Sequence, residues 1–246
     1  MITSISRFSS LPWTLVGLAA ALMISTPYAR ASDPSLAQKV EALIAAYPEA
    51  LSKAEDGKLT FKDGGPALAI DEGQTKDHAQ RINSGDIEDS LQQIYPAGAC
   101  ETRPERNFDP GRIRSEALMK RLYGSTAADV QEDLVPVDWF GETLPVTRRN
   151  GVNAALESVR RELAKRPDLT PYLIPSAGTF NWRTVSGQPN LSVHSFGAAI
   201  DLNTAHADYW LWSGGRPGNV PSYKNKFPME IVAIFERQGF MWGGRW

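Results

Sequence analysis

The sequence predicts an α+β protein, an antiparallel sheet with flanking helices. Three observations predict it. Amphipathic helical segments recur along the chain without the strict alternation with strands that a parallel sheet needs. The strand-like stretches are short and bounded by Gly and Pro. A chain of 246 residues, 42% of them hydrophobic, suffices for one domain with a real core and a smaller N-terminal part.

The elements follow in order. In residues 34–47, Leu36, Val40, Leu43, Ile44 and Tyr47 fall at helical spacing, with Ser35 or Asp33 as cap. Residues 58–70 alternate weakly and break at Gly64-Gly65-Pro66, which predicts a short strand and a turn. Residues 86–95 predict a short helix with acidic residues in its first turn. Residues 97–110 have no period and read as a loop or linker. Residues 112–123 predict a helix started by Asp109-Pro110 and stopped by Gly124. Residues 135–140 predict a strand. Residues 151–165 form the cleanest amphipathic helix: Val152, Ala155, Leu156, Val159 and Leu163 share a face, and Asn150 is its expected cap. Residues 172–183 and 192–203 read as strands or strand-loop segments. Residues 228–238 predict a helix with Pro228 first and Gly239 at its end.

The first residues read as an address. Arg7 supplies a positive start, residues 15–24 are an apolar run, and Ala29-Arg30-Ala31 is a small-residue cleavage pattern. The run is shorter than the roughly 20 apolar residues of a spanning helix. A cleaved export signal over 1–31 is therefore expected, with no membrane association after cleavage. Residues 32–104 are expected to form an N-terminal helical or irregular region, and 105–246 the main domain. The expected location is secreted, periplasmic or cell-wall associated. Basic and acidic residues number 26 and 28, so nothing suggests a nucleic-acid partner. Cys100 is the sole cysteine, so no internal disulfide is available, and a buried thiol is expected.

The informative stretch is Leu191–Asn203 (LSVHSFGAAIDLN). On a strand, Ile200 and Leu202 share one face while Ala199, Asp201 and Asn203 share the other, a face more like the wall of a site than a core. His194 and Asp201 are separated by an odd number of residues, so a straight strand would point them apart. A bend at Ser195-Phe196-Gly197, with Gly197 permissive, would let them meet. Imidazole and carboxylate are ordinary zinc ligands. A His and an Asp at this spacing also occur as plain polar residues, and spacing alone does not decide.

The residues Ser192-x-His194-x-x-Gly197-x-Ala199-x-Asp201 match the SxHxxGxAxD signature of the VanY-like D-alanyl-D-alanine carboxypeptidases, whose relatives include vancomycin-resistance dipeptidases and phage L-alanyl-D-glutamate endolysins. Phe180–Arg183 resembles the family segment that carries an arginine ahead of the signature. Residues 235–246 resemble its helix end and WGG turn. The resemblance implies a hedgehog/DD-peptidase-like fold and a zinc peptidase acting on peptidoglycan stem peptides, at a terminal D-Ala-D-Ala or an internal L-Ala-D-Glu bond. It implies His194 and Asp201 as zinc ligands and Arg183 as the group that steadies the oxyanion. Ser192 is expected to orient substrate or support His194, or to be a plain turn residue.

Family members continue past the WGG turn with an acidic general base and, three positions on, a histidine ligand. The sequence printed here ends at Trp246, and nothing in it matches either residue. Weak or absent activity is the corresponding expectation, and a non-catalytic cell-wall-binding module of the same fold is the alternative. His206 and His78 are expected to be loop and polar-stretch histidines, and Glu230 and Glu236 helix-surface residues. Trp182, Tyr209, Trp210, Trp212 and Trp242 cluster around the signature, either as core or as a groove for a sugar-peptide polymer. The oligomeric state is not readable.

Overall fold

The computed structural model describes residues 4–7, 33–98, 104–216, 219–220 and 224–246. Cys100 and the apolar run 15–24 lie outside these. The chain begins with strand β1 (Ser4–Arg7), inside the expected export signal. Helix α1 (Leu36–Ala46) opens on a capping box between Ser35 and Gln38. Strands β2 (Leu51–Glu55), β3 (Lys58–Phe61) and β4 (Leu68–Ala69) form an antiparallel sheet in the order β2-β3-β4. Two short helices follow, α2 (His78–Ser84) and α3 (Ile87–Gln92), each capped by an aspartate, Asp77 and Asp86. Region 32–104 thus holds a small sheet as well as helices.

Helix α4 (Glu116–Tyr123) starts later than Asp109-Pro110 suggests. Ser115 is the cap, because the preceding turn is committed to holding Arg114. After α5 (Ala127–Glu132), strands β5 (Leu134–Trp139) and β6 (Glu142–Thr147) pair along their full length. Their two-residue turn, Phe140-Gly141, has both residues at positive φ, the mirror-image geometry that hairpins favour. Helix α6 (Val152–Leu163) buries Val152, Ala155, Leu156, Val159 and Leu163, the face its periodicity predicts. Its cap differs from the prediction: Asn150 and Gly151 are both left-handed, and no side chain caps the helix.

Helix α7 (Thr170–Leu173) is a single turn, and the stretch from 174 to 190 is irregular rather than a strand. Strand β7 (Ala199–Asp201), helix α8 (Met229–Arg237) and strand β8 (Phe240–Trp242) complete the chain. The sheet that carries the signature runs β7-β1-β8, with Ser4 opposite Asp201 and Ile5 opposite Trp242. Cleavage after Ala31 would remove β1 and leave the facing edges of β7 and β8 without their common neighbour. Among the described residues, no helix is long and apolar enough to cross a membrane.

One hydrophobic core runs from Val40 in α1 through Trp139 and Leu163 to Trp242. Trp139 is fully buried, donates its Nε1–H to Leu173 O (3.3 Å) and packs on Phe140 and Phe235. The N-terminal part adds one buried ionic cluster. The Lys76 ammonium lies 2.9 Å from Asp86 and 2.8 Å from Asp89, with all three side chains nearly inaccessible. Burial alone would raise the Asp86 pKa. The Asp89 and Glu72 amides and the Lys76 ammonium more than reverse this and hold it below 3.8.

Two predictions follow from these contacts. A carboxylate with a depressed folded-state pKa stabilises fully above its unfolded value and loses that contribution as pH falls through the folded one. Asp86→Asn should cost about 3 kcal/mol at neutral pH, the scale of breaking a buried pair. It should also flatten the loss of stability below pH 3.8, and urea unfolding at several pH values reads both effects. Gly197 sits at φ +62°, and a Cβ there would stand 2.5 Å from Leu134 Cδ2 and 3.2 Å from Thr147 N. Gly197→Ala should therefore cost about 1–2 kcal/mol, measured in the same way.

Candidate metal centre

The signature folds as a tight turn followed by a strand. Residues Val193–Phe196 form a 3-10 turn whose N-cap is Ser192, and Gly197 ends it in the left-handed conformation. Phe196, at the apex, is buried between Tyr123 and Trp182 and anchors the turn in the core. Gly197 O accepts from Thr147 N (3.1 Å), which ties the bend to β6. From there β7 runs directly into Asp201, whose main chain pairs with Ala177 and Gly178 on the side away from β1.

The bend brings His194 and Asp201 together. Nε2 of His194 lies 3.3 Å from Oδ2 of Asp201, and both side chains are nine-tenths inaccessible. Nδ1 of His194 lies 3.1 Å from Thr179 O. A carbonyl can only accept, so Nδ1 carries the proton in that bond and Nε2 turns its other function toward the carboxylate. Among the described residues, Oδ1 of Asp201 is buried without a hydrogen-bond partner, and such an orphaned oxygen is costly.

These observations fit a cation held between the two groups. A charge-assisted hydrogen bond between them would close to about 2.7–2.9 Å. Two ligand atoms about 2.0–2.1 Å from a tetrahedral zinc stand roughly 3.3–3.4 Å apart. The observed separation matches the second arrangement, and a backbone carbonyl on the remote imidazole nitrogen is the usual support for a metal-binding histidine.

The main chain leading into the turn is held at both polar atoms of Leu191. Arg114 Nη2 donates to Leu191 O (2.6 Å), and Leu191 N–H donates to Glu116 Oε2 (2.8 Å). Arg114 is buried, and desolvation pushes its pKa down to about 10, so it remains a cation at neutral pH. Ser195, fully buried, ties the other side: its Oγ donates to Arg183 O (2.8 Å) and accepts from Arg183 N–H (2.9 Å). Sequence reading missed Thr179, Arg114, Glu116 and Ser195. Ser195 lies at a free position of the signature, and the other three are distant in the chain.

Ser192 is buried, and its Oγ accepts from His194 N–H (3.4 Å), so it caps the turn that carries the imidazole. Arg183 is placed differently. Its main chain is tied to Ser195 and to Ser192 N–H, whereas its guanidinium is exposed and donates to Thr184 O (3.3 Å). Asn203 donates to the Pro171 and Ile174 carbonyls, which commits it to holding the chain after β7.

One other expectation changes. The Glu236 side chain is nearly inaccessible rather than on the surface: it accepts from Tyr95 Oη (2.6 Å) and Gly98 N (2.9 Å) and pairs with buried Arg245 (2.9 Å). Glu230 is exposed, as expected, and pairs with Arg166. His206 lies against Tyr172, with ring centroids 4.4 Å apart and planes tilted by 44°, and His78 bonds Asp109. The aromatics divide: Trp242 belongs to the core, Trp182, Tyr209 and Trp210 are half-buried, and Trp212 is exposed. The Trp242 indole lies against Gly244, where any Cβ would meet it at 2.3 Å, which explains the small residue in the WGG turn. Among the described residues, Asp86, Glu88 and Asp89 form a trio of potential ligands, but Lys76 already neutralises two of them.

A family model described as D-alanyl-D-alanine carboxypeptidase matches residues 186–246. The match takes in Ser192, His194, Asp201 and the WGG turn, and begins just after Arg183. No curated protein and no solved structure matches the chain. The C-terminal quarter of this α+β chain is thus similar to the D-alanyl-D-alanine carboxypeptidases.

Proposed function

We propose that this protein is an exported, zinc-dependent peptidase of the peptidoglycan-acting type, with stem peptides as substrates and His194 and Asp201 as two of the zinc ligands. The single observation that carries the reading is the 3.3 Å approach of His194 Nε2 to Asp201 Oδ2, beside an unpartnered Oδ1. The family match over the same residues supports it. The leader pattern of residues 1–31 supports export to the periplasm or cell wall.

Zinc, when bound, would supply Lewis-acid polarisation of the scissile carbonyl and an acidified water. The protein's own groups have distinct tasks. Thr179 O fixes the imidazole tautomer, and Ser192 holds the turn beneath it, its other expected role being a contact with substrate. Arg183 is assigned to the developing oxyanion, which requires its exposed guanidinium to leave Thr184 O when substrate arrives.

Catalytic zinc sites carry three protein ligands, and two meet here among the described residues. A site limited to these two ligands would bind zinc weakly and turn over slowly. The second reading is a cell-wall-binding module that keeps the fold without the chemistry.

Zinc titration against a chromophoric chelator tests the site. His194→Ala and Asp201→Ala should each weaken zinc binding by more than the roughly 10–100-fold typical of a lost supporting hydrogen bond. Zinc binding that both variants leave unchanged would remove the site. A peptide ending in D-Ala-D-Ala, incubated with the protein and excess zinc, should release D-Ala only slowly. Release that is fast and chelator-sensitive would contradict the two-ligand account, and binding of cell-wall polymer without any release would favour the second reading.

A further inference from the structure

A cleft of about 630 Å³ opens beside residues 104–112 and 206–210, and neither His194 nor Asp201 lines it. Its size falls in the range of small-ligand sites. Part of its lining is a row of planar polar groups. His78 Nε2 donates to Asp109 Oδ2 (2.6 Å), and Arg112 donates to Asp109 Oδ1 (2.7 Å). Asp109 is buried, while His78 and Arg112 keep part of their surface exposed. The buried carboxylate therefore fixes the orientation of both partners.

Another part of the lining is aromatic. Tyr209 and Trp210 meet edge to face at 5.3 Å, and both are half-buried. Phe227 and Trp242 also line the cleft and stack at 6.2 Å and 26°. The charges cancel: Arg106, Arg112 and Lys224 are balanced by Glu105, Asp109 and Asp208. An ionic ligand would find no excess of either sign.

We infer that this cleft is a saccharide-binding site, taking an uncharged pyranoside. A pyranose ring has a face of C–H bonds and a rim of hydroxyls. Aromatic plates receive the first, and planar groups held by a buried carboxylate receive the second in pairs. If the proposed function holds, the ligand is the N-acetylated amino-sugar strand that carries the stem peptides. The cleft would then grip the polymer while the peptide reaches His194 and Asp201.

The test is calorimetric titration of the intact chain, without added zinc, with a tetramer of β-1,4-linked N-acetylglucosamine and, separately, with a free stem peptide. The tetramer should bind and quench tryptophan fluorescence. Trp210→Ala should weaken it about tenfold, the scale of one lost aromatic contact, while Trp210→Phe keeps a ring and should retain most of the affinity. Tyr209→Ala provides a second variant, and thermal unfolding checks that each is folded. Saccharide binding that survives both alanine variants, no saccharide binding at all, or binding of the peptide alone would each overturn the inference. His194→Ala should bind the tetramer like the unmodified protein, so a failed peptidase reading and a failed saccharide site give different results.

Discussion

His194 and Asp201 meet because the main chain between Asn190 and Gly197 is held from several directions. Arg114 and Glu116 grip the two polar atoms of Leu191, Ser195 binds Arg183 through both of its polar atoms, and Thr147 takes the Gly197 carbonyl. Phe196 drives the apex into the core between Tyr123 and Trp182. Without these restraints, a left-handed residue next to a strand would leave the imidazole free to swing. With them, one imidazole nitrogen faces a carbonyl and the other a carboxylate. The burial of Arg114 shows what the restraint costs. A guanidinium is taken from water, and carbonyl acceptors and nearby Glu116 offset the loss of hydration.

The N-terminal part belongs to the same arrangement. Asn190 donates to Ile82 O, within α2, so the chain entering the signature rests on the N-terminal region. Lys76, Asp86 and Asp89 lock α3 to the segment before α2 with a buried ionic cluster. Tyr95, Gly98, Glu236 and Arg245 join the end of that region to α8 and the WGG turn. The cleft with its aromatic lining lies where His78 of the N-terminal region approaches Asp109, Tyr209 and Trp210. Both regions therefore contribute to the surface on which a polymer would lie.

Much of this was legible in the sequence, and the physical reasons for the rest are specific. α1, α6 and α8 stand out because their apolar residues fall on one stripe, and the bend at Gly197 follows from parity and a permissive residue. β2 was hidden because four of its five residues are exposed and show no alternation. β6 was hidden by Pro145 and by a turn, Phe140-Gly141, that lacks the usual Asn-Gly. α2 and α5 are too short for a periodic signal. Asn150 looked like a helix cap because asparagine favours that role, but it also tolerates the left-handed region, where the chain uses it. In the site, the pair itself was readable from the signature. Thr179, Arg114 and Glu116 were not, because their contacts join segments far apart in sequence and leave no local pattern.

The central claim is that the fold presents His194 Nε2 to a cation shared with Asp201. Long-range 1H–15N NMR of the imidazole, recorded before and after zinc is added, tests it most directly. The account predicts a proton on Nδ1 in both spectra and a selective displacement of the Nε2 resonance as zinc is added. A proton on Nε2 in the zinc-loaded protein, or an Nε2 resonance that ignores zinc while the metal binds elsewhere, would contradict it.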